Sequence, residues 1–188
     1  QWKTKLNEPV PAKVPCRCST NGCQAAIASV TPGFVNLTHG TRAGRWGPNC
    51  WNTVLVASKI LEASSFTSPA EMTYWMKSPL CRPLRAGETP QPGDVIAIRD
   101  QAEQELHAFI NLTEDLSFSK NNLMAAAPFA LQNPEDVYRE YPVPESCRKP
   151  GHSASCPIHA DFFRCITAQD YRPLSGPPPT AEYTQAET

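Results

Sequence analysis

The apolar period of this chain changes near residue 80, and that change limits the fold more than any other feature. Upstream, apolar residues recur at three-to-four spacing; downstream, they alternate. In "GRWGPNCWNTVLVASKI" (residues 44–60), Gly47 is placed to cap a helix and Pro48 to open it, since proline lacks the N–H that a first helical residue leaves unpaired. The expected helix runs from 48 to about 63, with Cys50 in its first turn. Val54, Ala57 and Leu61 continue the Cys50 face, and Trp51 and Leu55 widen it. Ser68-Pro69-Ala70-Glu71 has the form of a capping box and opens a second helix carrying Met72, Trp75 and Met76, which stops before Pro79. After a Pro92-Gly93-Asp94 turn the pattern becomes β-type. Strands are expected at 95–98, 105–112, 116–120, 136–143 and 162–166. Helices first and antiparallel strands later predict an α+β domain, with helices packed on a meander sheet.

Proline, twenty residues in all, clusters at both ends. Residues 1–15 read as an extended arm and 172–188 as a solvated, proline-rich tail, which leaves 16–171 as a single folded domain. The formal net charge of −1 gives no electrostatic case for nucleic acid or an anionic membrane surface. No apolar run is long enough to cross a bilayer. Eight cysteines point to disulfides and so to an oxidising location, whether secreted, periplasmic or at the cell surface. Ser19 to Gly22 form a turn-rich loop that Cys16, Cys18 and Cys23 are placed to staple. Zinc held by Cys147, His152, Cys156, His159 and Cys165 is the rival use of the C-terminal cysteines, although the tight knuckle spacing of structural zinc sites is missing. Asn36 and Asn111 head glycosylation sequons; the second falls within an expected buried strand.

Cys50 carries the chemical interest. A thiol in the first turn of a helix meets free N–H groups and the positive end of the dipole, which lower its pKa. A nucleophilic cysteine also needs a base. His107, on an expected strand whose alternation puts His107, Phe109 and Asn111 on one face, is the best placed of four histidines. A third group should hold the far ring nitrogen, and Ser119 or Asn121 on the following strand could accept from it. Charged Lys120 could not, being a donor only.

The order of these parts resembles the NlpC family of papain-like cysteine peptidases. The matching residues are Asn49-Cys50 at a helix start, "PGDVIAI" (residues 92–98) and "HAFINLTEDLSFSK" (residues 107–120), so the likeness spans 47–121. It implies a papain-like fold with Cys50 as nucleophile and His107 as base. Counting about twelve positions on from His107, as in the family, puts Ser119 third, with Asn121 as the substitute. Asn49, Trp51 and Trp46 flank the cysteine as expected substrate-binding residues. The implied activity is hydrolysis of peptide bonds in peptidoglycan by a monomer that needs neither cofactor nor metal. This chain has Asn49-Cys50-Trp51-Asn52 where the family has an Asp-Cys-Ser-Gly type signature. It also has serine where the family has His, Asn or Gln. These departures motivate the rival expectation of a non-catalytic, disulfide-stabilised binding module on the same fold.

Overall fold

The computed structural model describes residues 16–19, 22–25, 35, 38–44, 46–62, 65–152 and 156–166, the first two segments by their backbone alone. The expected proline-rich arm and tail, the Asn36 sequon and residues 26–30 lie outside these residues. Cys16–Ser19 (β1) and Gly22–Ala25 (β2) pair antiparallel, with Cys18 opposite Cys23 in register, so the turn-rich segment is a hairpin. Its expected stapling concerns side chains outside the described set.

The remaining strands form one sheet. They are β3 (Cys81–Pro83), β4 (Val95–Asp100), β5 (Glu105–Thr113), β6 (Leu116–Lys120), β7 (Phe129–Gln132) and β8 (Ile158–Cys165). Their order is β3-β8-β4-β5-β6-β7, every neighbouring pair antiparallel. Helices α1 (Cys50–Ala57) and α2 (Pro69–Lys77) cover one face, and α3 (Pro134–Glu140) covers the other. The protein is therefore α+β, as the order of periods implies.

Two apolar clusters follow from strand alternation. Val95, Ala97, Ala108, Ile110, Leu112 and Phe118 pack beneath Val54, Leu55, Met72 and Met76 of the first two helices. Ile96, Ile98 and Phe109 point the other way and meet Val137 and Tyr138 of α3. A bulge between Ile98 and Arg99 shifts the register so that Arg99 lies opposite Glu105, with Leu106 as the extra residue. At the head of β4, Gly93 has a φ of 94°, a conformation that costs a side-chain-bearing residue dearly. Asp94 accepts from the Gln91 N–H at 2.7 Å and from both Nε and Nη2 of Arg164 on β8. The Gly-Asp pair thus makes the turn and ties it to the neighbouring strand.

Several expectations need correction. Helix α1 starts at Cys50 with Asn49 as its cap, not at Pro48 behind Gly47, and it stops at Ala57 rather than near 63. Lys59, at φ 62°, ends it in the left-handed conformation typical of a helix C-terminus, with Ile60 N–H returned to Leu55 O. Helix α2 begins and ends as expected, and Ser68 Oγ accepts from the Glu71 N–H at 3.1 Å. The strand expected at 136–143 is helix α3: Asn133 caps it, Pro134 occupies the first turn, and Val137 and Tyr138 form its buried face. Asparagine before proline is a helix-start signal that the apparent alternation of "DVYREYPV" conceals.

Two disulfides are present among the described residues, Cys81–Cys165 and Cys147–Cys156. They fit a protein of an oxidising compartment and remove Cys147, Cys156 and Cys165 from any zinc site. No described helix is long and apolar enough to cross a membrane. Cys81–Cys165 closes a loop with a sequence separation of 84, against 9 for Cys147–Cys156. Loop-closure entropy puts their contributions at about 4.5 and about 2.5 kcal/mol. Replacing both cysteines of the first pair by serine should therefore lower the urea midpoint further than replacing both of the second; the reverse order in equilibrium unfolding would contradict this.

Candidate active site

The start of α1 is held by side chains rather than by helix propensity. Asn49 Oδ1 accepts from the Asn52 N–H at 2.9 Å, while its Nδ2 donates to Thr67 O at 2.7 Å. Thr53 Oγ1 donates to Asn49 O at 2.7 Å, and the Ser65 N–H donates to Asn52 Oδ1 at 3.1 Å. Both ends of the Asn49 amide are used and the residue is buried. Asn49 thereby fixes where Cys50 begins the helix.

Cys50 is unpaired and buried. The backbone N–H groups of Ala108, Trp51 and Cys50 itself face its sulfur and favour the thiolate. Burial opposes them and wins, with a smaller push from the Glu105 charge, so the thiol is pushed up to about 11. The N–H groups of the helix start act in the expected direction, but desolvation outweighs them.

The strands beside the sulfur are parted. The β5–β6 ladder runs through Thr113–Leu116, Asn111–Ser117 and Ile110–Phe118, then stops, although β5 continues back to Glu105 and β6 on to Lys120. Ser119 Oγ spans the opening. It donates to Ala108 O at 3.0 Å and lies 3.3 Å from His107 Nε2. A hydroxyl has one proton to give. With that proton on Ala108 O, Ser119 accepts from His107, which assigns the imidazole N–H to Nε2 and leaves a lone pair on Nδ1. Nδ1 is buried and has no hydrogen-bond partner, so no bond joins it to the Cys50 thiol. Tyr141, just after α3, stacks on the ring at 4.7 Å between centroids and 10° between planes. Burial lowers the His107 pKa to about 4.

Of the two expected orienters, Ser119 reaches His107. Asn121 instead donates from Nδ2 to Gln132 Oε1 at 3.4 Å. Trp51 is half-buried against the first apolar cluster, with an unpartnered Nε1. Trp46 is 62 % exposed. Asn111 is buried and donates to Gln91 O at 3.0 Å, so its sequon is not presented to solvent.

Sequence reasoning missed Lys120 as a part of the site. It is buried and donates to Asn122 O at 2.8 Å and Met124 O at 2.9 Å. Burial lowers its pKa, and a charged Cys50 would act in the opposite direction. The lysine amine therefore lies within electrostatic reach of the sulfur. The alternation of "LSFSK" was the available signal, because it puts Phe118 and Lys120 on the same face, toward α1.

No family model, curated protein or solved structure matches this chain.

The imidazole stays neutral in the fold down to about pH 4, whereas the unfolded ring takes up a proton near 6.5. Its contribution is complete above about 6.5 and is lost as pH falls toward 4, by on the order of 3 kcal/mol. His107→Gln should flatten that part of the stability–pH curve in urea titrations. An equal fall in both proteins would place the acid sensitivity elsewhere.

Proposed function

We propose that this chain is a papain-like thiol hydrolase of the NlpC type, secreted, periplasmic or surface-located, that cleaves amide bonds of peptidoglycan peptides. The observation that carries the reading is the neutral His107 ring, held through Nε2 by Ser119 with Nδ1 unpartnered, one residue from the Ala108 N–H that faces the free Cys50 sulfur. A base oriented at one nitrogen and open at the other is the working part of a nucleophile–base–orienter triad.

The resting pair is thiol and imidazole, since the thiol sits near 11 and the ring near 4. Attack and proton transfer are then coupled. As Cys50 Sγ bonds to the amide carbon, its proton passes to His107 Nδ1, and the carbonyl π electrons move to oxygen. The Cys50 N–H, at the helix start, is one donor to that oxyanion. His107 returns the proton to the departing amine, leaving a thioester. A water molecule, giving its proton to His107, then hydrolyses the thioester and frees the thiol. Catalytic hydrogen bonds are often unmade before substrate arrives, which accommodates the missing thiol–imidazole contact. No cofactor enters the scheme.

The buried sulfur also favours a second reading, a non-catalytic binding module on the same fold. The two are separated by digestion of peptidoglycan. Native protein should release peptides, and Cys50→Ala should abolish release with little change in melting temperature; intact activity in that variant would eliminate the nucleophile, and inactivity of the native protein supports the module.

Ser119→Ala should lower kcat by roughly one to two orders of magnitude, below the ~10²–10⁴-fold a general base supplies, and should alter the acid limb of the pH–rate profile. A change in KM alone would assign Ser119 to packing. Alkylation of Cys50 should be slow at mildly acidic pH and rise toward pH 11. Fast labelling below neutrality would instead require a resting thiolate–imidazolium pair.

A further inference from the structure

A second group of ligating side chains lies away from Cys50, on β8, the β4–β5 turn and the loop closed by Cys147–Cys156. One donor atom each from His152, His159 and Asp161 lies within 4.8 Å of the others. His152 Nε2 is 3.1 Å from Asp161 Oδ1. His159 Nε2 is 3.6 Å from Asp161 Oδ2 and 3.5 Å from Glu103 Oε1.

The first distance alone is an ordinary hydrogen bond. Those of His159 are not, because N–H···O bonds centre near 2.9–3.0 Å. Two imidazole nitrogens and the Asp161 carboxylate therefore converge without all pairing directly, and Glu103 lies beside His159. Bonds of about 2.0–2.1 Å to a tetrahedral ion hold neighbouring donors about 3.3–3.4 Å apart; the His152–Asp161 and His159–Asp161 separations, 3.1 and 3.6 Å through the two carboxylate oxygens, lie on either side of that value.

The surroundings support the geometry. The imidazoles are nearly buried, at 12 % and 6 % side-chain exposure. Arg99 Nη1 donates to Asp161 Oδ2 at 2.9 Å, so that carboxylate is held by a hydrogen bond as metal-ligating carboxylates usually are. Glu103, Glu105 and Asp161 are three carboxylates around the single guanidinium of Arg99.

We propose that His152, His159 and Asp161 form a binding site for a divalent transition metal, zinc by its mixed nitrogen–oxygen donors, with Glu103 beside His159. The ion has a structural role. Its ligands come from two chain segments, β8 and the Cys147–Cys156 loop, and it pins that loop to the sheet. The site keeps His152 and His159 of the expected zinc set and has Asp161 where that set had cysteines, which the disulfides occupy.

The test is calorimetric titration of zinc chloride into chelator-treated protein, repeated with Cys50→Ser and His152→Gln, with melting temperature and cobalt spectra alongside. One equivalent should bind the native chain and Cys50→Ser alike and raise the melting temperature of both. In His152→Gln, both the binding and the rise should be lost or greatly weakened. Cobalt should give tetrahedral visible bands with no near-ultraviolet sulfur charge-transfer band. The proposal is overturned by no binding to the native chain, by loss of binding in Cys50→Ser, by undiminished binding in His152→Gln, or by a sulfur band. The native titration and the cobalt spectrum keep the test decisive even if a variant folds poorly.

Discussion

The Ala108 backbone holds the candidate site together. It lies just past the point where β5 and β6 cease to pair, so neither of its polar groups is taken up by the ladder with β6. Its carbonyl accepts from Ser119, and its N–H faces the Cys50 sulfur. Buried backbone groups need partners, and here a gap in the sheet is filled by a serine hydroxyl and a cysteine rather than by a strand. The arrangement has a chemical consequence. By taking the Ser119 proton, the Ala108 carbonyl leaves that oxygen to accept from His107 and so determines which ring nitrogen keeps a free lone pair.

Charge near the sulfur is balanced between opposing groups. Lys120 favours a thiolate and Glu105 disfavours it, and both are buried close by. Glu105 is itself bonded to Arg99, through Nε at 2.9 Å, and to Thr73 at 3.3 Å. The dominant influence is desolvation, which penalises both the thiolate and the imidazolium. A charge-separated resting pair would bear both penalties in one buried place. A neutral pair bears neither, and defers charge to the moment a substrate carbonyl arrives to carry it.

Much of this was legible in the sequence where local chemistry decides structure. The helix-opening cysteine, the Ser68 cap, the Gly93-Asp94 turn and the two faces of β5 each follow from short-range rules, and the structure has them all. The failures have physical causes. The helix cap is Asn49 and not the expected Gly47, because Asn49 is fixed by a Thr67 partner 18 residues away. Helix α3 was read as a strand because its short apolar pattern fits either period, and only the Asn133-Pro134 start separates them. Strands β3 and β7 were overlooked: one is 3 residues long and the other 4, too short for alternation to register, and both are recruited by pairing with longer neighbours. The raised thiol pKa was unreadable, because desolvation depends on the whole fold while an N-terminal dipole depends on one helix.

Arg99 links the two regions of interest, and its position follows from one irregularity. Without the bulge at Ile98–Arg99, the residue opposite Arg99 would be Leu106 and the guanidinium would have no acid across the ladder. With the bulge, Glu105 turns to the same face as Arg99, near the Cys50 sulfur, while Asp161 on β8 and Glu103 in the turn engage the same guanidinium. A buried cation shared among three acids cannot satisfy each as fully as it would one alone. The charge that Glu105 presents to the sulfur therefore depends on how strongly Asp161 and Glu103 hold the arginine. A residue inserted into one strand thus couples the electrostatics of the His152–His159 cluster to those of the cysteine, across β4 and β5, with no chain segment required to move.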